Sequence, residues 1–143
     1  MASAHAEEVF NCTAEEFFKI VTDYEKYSEF LTEVKSVKVL KNTGNTKEME
    51  YHVSLIKTFK YKLKATEVPN KSVKFEFIGG DVFKSMSGGW VLKDQDGKCA
   101  VTYDVEASFG MLVPDSMAKP LVSANLPMMM TNFKKRIKAV YGK

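Results

Sequence analysis

The sequence has few of the residue types on which most catalytic and metal-binding sites depend. Its 143 residues include two histidines, two cysteines and a single arginine, Arg136. His5 and His52 lie far apart in the chain, and His52 falls on the polar side of its strand, so no metal site is expected. Cys12 and Cys99 have neither CxxC spacing nor a histidine placed beside them by a motif. We therefore name no catalytic residue and expect no bound cofactor.

Arginine is scarce although the chain is basic, with 20 lysines and a formal net charge of +3. Because nucleic-acid binders favour arginine for bidentate contacts, DNA is not an expected partner. No apolar run approaches the roughly 20 residues of a membrane span. The N-terminal segment also lacks the cationic start and apolar core of a signal peptide. We expect a cytoplasmic protein that is a monomer or a weak dimer.

What the sequence does contain is a run of strands, from about Lys47 to Gly110, in which apolar and polar residues alternate. Successive side chains of a strand point to opposite faces, so the pattern predicts an antiparallel sheet with one apolar and one solvated face. The residues on the apolar face are Met49, Tyr51, Val53, Leu55, Tyr61, Leu63, Ala65, Val73, Phe75, Phe77, Val101, Tyr103, Val105, Ala107 and Phe109. We expect almost no acid, base or metal ligand on this face.

The elements before this run are short. A first strand covers about Ser3 to Asn11, and Thr13-Ala14-Glu15-Glu16 has the pattern of a helix capping box. A short helix then covers Ala14 to roughly Thr22, and a second helical segment covers Tyr24 to Leu31. The next strand covers Val34 to Leu40 and leads, through a turn, into the alternating run.

The last part of the chain reads as one long helix from Pro114 to Gly142, capped by Asp115 or Ser116. About 26 residues at 1.5 Å each would span roughly 40 Å, enough to cross the sheet. Pro120 and Pro127 lie within it and predict a kink or a break. Residues 1–143 are thus expected to form one α+β domain, in which about seven strands curve around a C-terminal helix.

Three stretches resemble a known family. The segment Asp23–Leu31, the stretch Gly79–Trp90 and the Phe133-x-x-Arg136 step are similar to motifs of the polyketide cyclase/dehydrase family of the START-like, helix-grip superfamily. The resemblance extends over essentially the full chain, in which helices and strands follow one another in the order of that family. It is strongest to coenzyme-Q-binding proteins and to bacterial ribosome-association toxins. It implies a helix-grip fold and leaves the activity to be argued from the site.

The leading hypothesis is binding or transport of a hydrophobic small molecule, such as a lipid, an isoprenoid or a quinone, between the sheet and the last helix. Methionines on that helix favour this hypothesis because flexible thioethers adapt to irregular ligands. Met128, Met129 and Met130 are consecutive, however, and cannot all face inward. The residues expected to line the cavity are Phe17, Tyr51, Tyr61, Leu63, Phe75, Phe77, Phe83, Trp90, Tyr103, Phe109, Met117, Leu121, Met128 and Phe133.

Two alternatives stay open. A polyketide aromatase/cyclase or dehydrase would use Tyr51, Tyr61 or Tyr103 as a weak acid and needs a second polar group in the cavity. The sequence gives no sign of an inward carboxylate or histidine. A module that contacts the ribosome, or a membrane surface, would use the lysines of the polar face and of the end of the last helix. Acidic residues are interleaved with these lysines and would weaken the positive electrostatic potential that such contacts need.

Overall fold

Seven antiparallel strands form one sheet in the order β1-β7-β6-β5-β4-β3-β2. The computed structural model describes residues 2–54, 58–110, 113–114, 116 and 126–142. The α+β helix-grip architecture expected from the sequence is confirmed. The elements are β1 (Ala2–Phe10), α1 (Ala14–Val21), a 3-10 helix (Tyr24–Glu29), β2 (Val34–Asn42), β3 (Thr46–Ser54), β4 (Thr58–Val68), β5 (Ser72–Gly80), β6 (Phe83–Gln95), β7 (Lys98–Phe109) and α2 (Leu126–Tyr141).

The start of α1 is fixed by the predicted capping box. The Thr13 hydroxyl accepts a hydrogen bond from the Glu16 amide (3.1 Å), and the Glu16 carboxylate accepts one from the Thr13 amide (2.9 Å). These two bonds satisfy amide groups that a helix leaves unpaired at its start. The capped helix turns Phe17 and Val21 into the core, where both are fully buried.

Two consecutive glycines of β6 bring three strands of the sheet close together. A Cβ atom on Gly88 would lie 2.1 Å from the Asp104 carbonyl oxygen of β7, and one on Gly89 would lie 2.6 Å from the Val73 carbonyl oxygen of β5. Glycine in a strand commonly marks such a close backbone approach. Both glycines are paired with the neighbouring strands on either side.

Helix α2 packs on the apolar face of the sheet through Phe133, which is fully buried. Its ring lies 5.1 Å from the Trp90 ring, 5.0 Å from Phe30 and 5.7 Å from Phe17, measured between centroids. The contacts join α2 to β6, to α1 and to the end of the 3-10 helix. The apolar face that the alternation predicts is therefore the face that the last helix covers.

The ends of α2 follow from local chemistry. Pro127 lies in its first turn, where the missing proline amide costs no helical hydrogen bond. Gly142 ends the helix as expected, with a φ of 73° and an amide bonded to the Lys138 carbonyl (2.8 Å). The expected cap at Asp115 and the expected break at Pro120 fall outside the described residues. Within the described part of the chain, no helix is long and apolar enough to cross a membrane.

Candidate functional site

A cavity of about 180 Å³ lies between the apolar face of the sheet and α2. One water molecule needs roughly 10–15 Å³ of such space, so the cavity exceeds that need by more than tenfold. Its wall is built by β2 to β7, the 3-10 helix and α2, and it is mostly apolar and aromatic. A largely apolar cavity with a few polar groups is typical of small-molecule sites.

The cavity brings together side chains that are distant in sequence. Eight of the residues expected from the sequence lie in its wall, on β3 to β7 and on α2. They are Tyr51, Tyr61, Leu63, Phe75, Phe83, Trp90, Tyr103 and Phe133.

Four other expected residues lie elsewhere. Phe17 is buried behind the wall, with its ring 5.7 Å from that of Trp90. Phe77 and Phe109 pack against Phe83 at ring distances of 6.2 and 5.1 Å and are not part of the wall. Met128 is 52% exposed to solvent.

The three consecutive methionines have three different environments, as their spacing on a helix requires. Met128 is exposed, Met129 lines the cavity and Met130 is buried in the core. Successive residues of a helix point about 100° apart. Met129 therefore lines the cavity in place of the expected Met128. Met117 and Leu121, which were also expected in the wall, lie outside the described residues.

Sequence reasoning missed several residues of the wall. Most of those on strands follow the same alternation and could have been found from it, whereas those of the 3-10 helix, of the segment after it and of α2 depend on tertiary packing. The strand residues are Val34, Met49, Val53, Phe59, Ala65, Val73, Met86 and Val105, and the others are Tyr24, Tyr27, Leu31, Glu33, Leu126 and Met129.

Three phenols give the cavity its hydrogen-bond donors. Tyr51 and Tyr61 stack with a ring distance of 5.2 Å and an interplanar angle of 4°, and Tyr103 lies 4.5 Å from the Trp90 ring. Burial raises the pKa of all three hydroxyls above its usual value, which keeps them protonated. None of the three hydroxyls has a hydrogen-bond partner among the described residues, in contrast to those of Tyr24 and Tyr27.

A carboxylate also lies in the cavity wall. Glu33 precedes β2, and its backbone carbonyl accepts a hydrogen bond of 2.8 Å from the Ser54 amide, which fixes its position. Its charge is one of the influences that raise the pKa of Tyr61, after burial and the neighbouring Tyr103. The expectation that no carboxylate faces inward is therefore wrong. Glu33 lies before β2 and outside the alternating run, so the strand pattern could not reveal it.

A second inward carboxylate is paired. Glu67 on β4 accepts a hydrogen bond of 2.6 Å from the Tyr24 hydroxyl and one of 2.8 Å from the Lys47 ammonium. The side chains of Lys47 and Glu67 are only 17% and 8% exposed. Both follow the inward register of Met49 and Ala65, so the alternation did indicate them.

The basic residues of the last helix are partly neutralised. Lys134 lies 3.0 Å from the Glu8 carboxylate of β1, and Arg136 lies 3.0 Å from the Glu29 carboxylate. The Arg136 contact holds the pKa of Glu29 below its usual range. On the solvated face of the sheet, acids and lysines also stand opposite each other, as in Glu50 and Lys62. The lysine-rich surface is thus a mixed-charge surface.

Solved structures with the same fold come from several bacteria. A START superfamily protein from Mycobacterium smegmatis has a TM-score of 0.87 and 16% identity, over 98% of this chain and 99% of that one. A STAR-related lipid transfer protein from Xanthomonas axonopodis has a TM-score of 0.80 and 17% identity, over 95% and 85%. An aromatase/cyclase from a Streptomyces species has a TM-score of 0.71 and 11% identity, over 96% and 86%. At these identities the likeness shows the fold alone.

The sequence itself identifies the family. No curated protein matches it significantly. The family model described as polyketide cyclase/dehydrase and lipid transport matches residues 11–134, which include the wall residues from Tyr24 to Phe133. That description fits both activities that the cavity allows, the carriage of a hydrophobic molecule and chemistry on a polyketide. The chain belongs to the polyketide cyclase/dehydrase and lipid transport family.

Proposed function

We propose that the protein binds a hydrophobic small molecule in the cavity between its sheet and α2, and that it carries or stores this molecule. The observation that carries the proposal is the cavity itself, whose wall is mostly apolar and aromatic. Burial of apolar ligand surface contributes roughly 25 cal/mol per Å², so a mainly hydrocarbon ligand gains most of its affinity from this wall. The lipid transport part of the family description supports the same function.

The phenols indicate which polar group the ligand has in addition to its hydrocarbon part. Tyr51, Tyr61 and Tyr103 present protonated hydroxyls that have no acceptor among the described residues. A carbonyl oxygen of a quinone or ketone would accept such a bond, and a buried donor left without an acceptor costs about 1–3 kcal/mol. A prenylated quinone, with a long apolar chain and two carbonyl oxygens, therefore suits the cavity as a probe.

Trp90 reports binding directly. It is the single tryptophan of the chain and lies in the cavity wall. We expect a short-chain prenylated quinone to quench its fluorescence in a saturable way. Ala65→Phe, which fills space inside the wall, should weaken this quenching, whereas Thr66→Phe on the outer face of the same strand should not. Quenching that does not saturate, or that is equal in both variants, would contradict binding in the cavity.

A second function, cyclisation or dehydration of a polyketide, is favoured by one observation. Glu33 places a carboxylate in the cavity wall that also contains Tyr61, whose hydroxyl has a pKa raised by burial, by Tyr103 and by the charge of Glu33. In a dehydration, the carboxylate would accept a proton from carbon while the phenol would protonate the leaving hydroxyl group, which departs as water. Conversion of a β-hydroxyacyl thioester, whose β-hydroxyl group leaves as water, into the α,β-unsaturated thioester is the expected result, and it should be lost in Glu33→Gln and in Tyr61→Phe. Equal conversion by both variants would exclude these roles.

A further inference from the structure

The Glu33 side chain has an unsatisfied oxygen. Its Oε2 atom is buried and has no hydrogen-bond partner among the residues that the structure describes. A buried acceptor without a partner costs about 1–3 kcal/mol, and more when it is charged. By contrast, Glu67, the other inward carboxylate described above, has both of its oxygens bonded. Because Glu33 belongs to the cavity wall, it brings an unsatisfied acceptor next to the space that a ligand would occupy.

The chemistry of this acceptor restricts the group that can lie against it. An ionised carboxylate accepts hydrogen bonds and donates none, so its partner must be a donor. A hydroxyl group or an ammonium group meets this need, and the charge of the carboxylate strengthens the bond. A ligand carboxylate would instead bring a like charge to a site where water is scarce, which is strongly unfavourable.

A phenol in the wall of the same cavity adds a complementary requirement. The Tyr61 hydroxyl stays protonated and has no acceptor among the described residues. A ligand hydroxyl can donate to Glu33 and accept from Tyr61 at the same time, because one hydroxyl carries one donor and two acceptor sites. An ammonium group can satisfy Glu33 only.

We propose that Glu33 and Tyr61 form a head-group subsite that selects hydrophobic ligands ending in a hydroxyl or an ammonium group and rejects those ending in a carboxylate. This proposal rests on the proposed binding function and names the class of ligand that the cavity takes. Free fatty acids are excluded, whereas long-chain alcohols, hydroxylated isoprenoids and long-chain amines are accepted.

The test compares three ligands with the same chain, decanol, decylamine and decanoate, by Trp90 fluorescence below the concentrations at which they aggregate. We expect decanol and decylamine to bind about tenfold or more tightly than decanoate, since a charge-assisted hydrogen bond contributes a tenfold or larger factor. The net charge of +3 attracts decanoate at long range, so it works against the expected order. Equal affinities, or a preference for decanoate, would overturn the proposal and leave the binding function intact.

Variants test whether Glu33 causes the preference for decanol and decylamine over decanoate. Glu33→Gln should bring the three affinities to within about threefold of one another, because a neutral amide both donates and accepts. Glu76→Gln, an exposed carboxylate on the solvated side of β5, should leave the preference unchanged. If Glu33→Gln keeps the full preference, Glu33 is not its cause. If none of the three ligands binds the unmodified protein, the binding function itself fails.

Discussion

The Tyr24 hydroxyl donates a hydrogen bond of 2.6 Å to Oε2 of Glu67, whose other oxygen lies 2.8 Å from the Lys47 ammonium. The arrangement ties the 3-10 helix to β3 and β4 beside the cavity. It places a carboxylate and an ammonium on a face that is otherwise apolar, where neither group is well solvated. Such a pair stabilises a fold only while it is complete.

Removing the charge of Glu67 should therefore destabilise the protein. Glu67→Gln leaves the Lys47 ammonium nearly buried without its counter-ion, and we expect a loss of about 3 kcal/mol in the free energy of unfolding, measured with urea. Glu76→Gln, at an exposed position, should cost less than about 0.5 kcal/mol. If the two variants are equally stable, the buried pair has no structural importance. The double variant Glu67→Gln, Lys47→Met should recover part of the loss.

Stability should fall steeply in alkaline solution. Burial raises the pKa of five of the six tyrosines, whereas a tyrosine in the unfolded chain titrates near pH 10. Above about pH 10 the unfolded state releases phenolic protons that the folded state retains, so the balance moves toward unfolding as the pH rises further. The five residues are Tyr24, Tyr27, Tyr51, Tyr61 and Tyr103.

The measurement is an alkaline titration followed by ultraviolet absorbance and by circular dichroism. Most of the tyrosinate absorbance should appear together with the loss of the folded signal. Ionisation of most tyrosines near pH 10 in a protein that stays folded would contradict the burial of these phenols.

The aromatic contact between α2 and the sheet should dominate the stability of the helix. Phe133 is fully buried among Phe17, Trp90 and Phe30, and Phe133→Ala should lower the free energy of unfolding by about 3–5 kcal/mol. Met128→Ala, one of the exposed residues of the same helix, should change it by less than about 0.5 kcal/mol. Similar effects of the two substitutions would mean that α2 does not pack on the sheet as described.

Much of this fold could be predicted from the sequence because two local signals are strong. The alternation from Met49 to Phe109 assigns strands and faces, and the capping box at Thr13 gives the start of α1. The place of Gly88 and Gly89 inside a strand could not be predicted, because a glycine pair looks the same in a loop and in a strand. Only the approach of β5 and β7 shows that a side chain has no room there.

The candidate site was harder to predict because a cavity wall depends on how elements pack. The strand register gave Tyr51, Tyr61 and Tyr103. It also indicated Lys47 and Glu67, which we overlooked by treating every charged residue as solvated. Glu33 lies between the 3-10 helix and β2, where no periodic pattern assigns a face. Its place in the wall follows only from the tertiary structure.

Native mass spectrometry of the protein purified without detergent from its own cells shows whether the cavity holds a ligand. We expect a fraction of the protein to carry one small molecule, and organic extraction to release a mainly hydrocarbon compound that rebinds and quenches Trp90. Ala65→Phe should carry less of it than Thr66→Phe. A protein found only at the mass of the bare chain, with unchanged Trp90 fluorescence on addition of prenylated quinones or long-chain alcohols, would contradict the claim that this cavity holds a hydrophobic ligand.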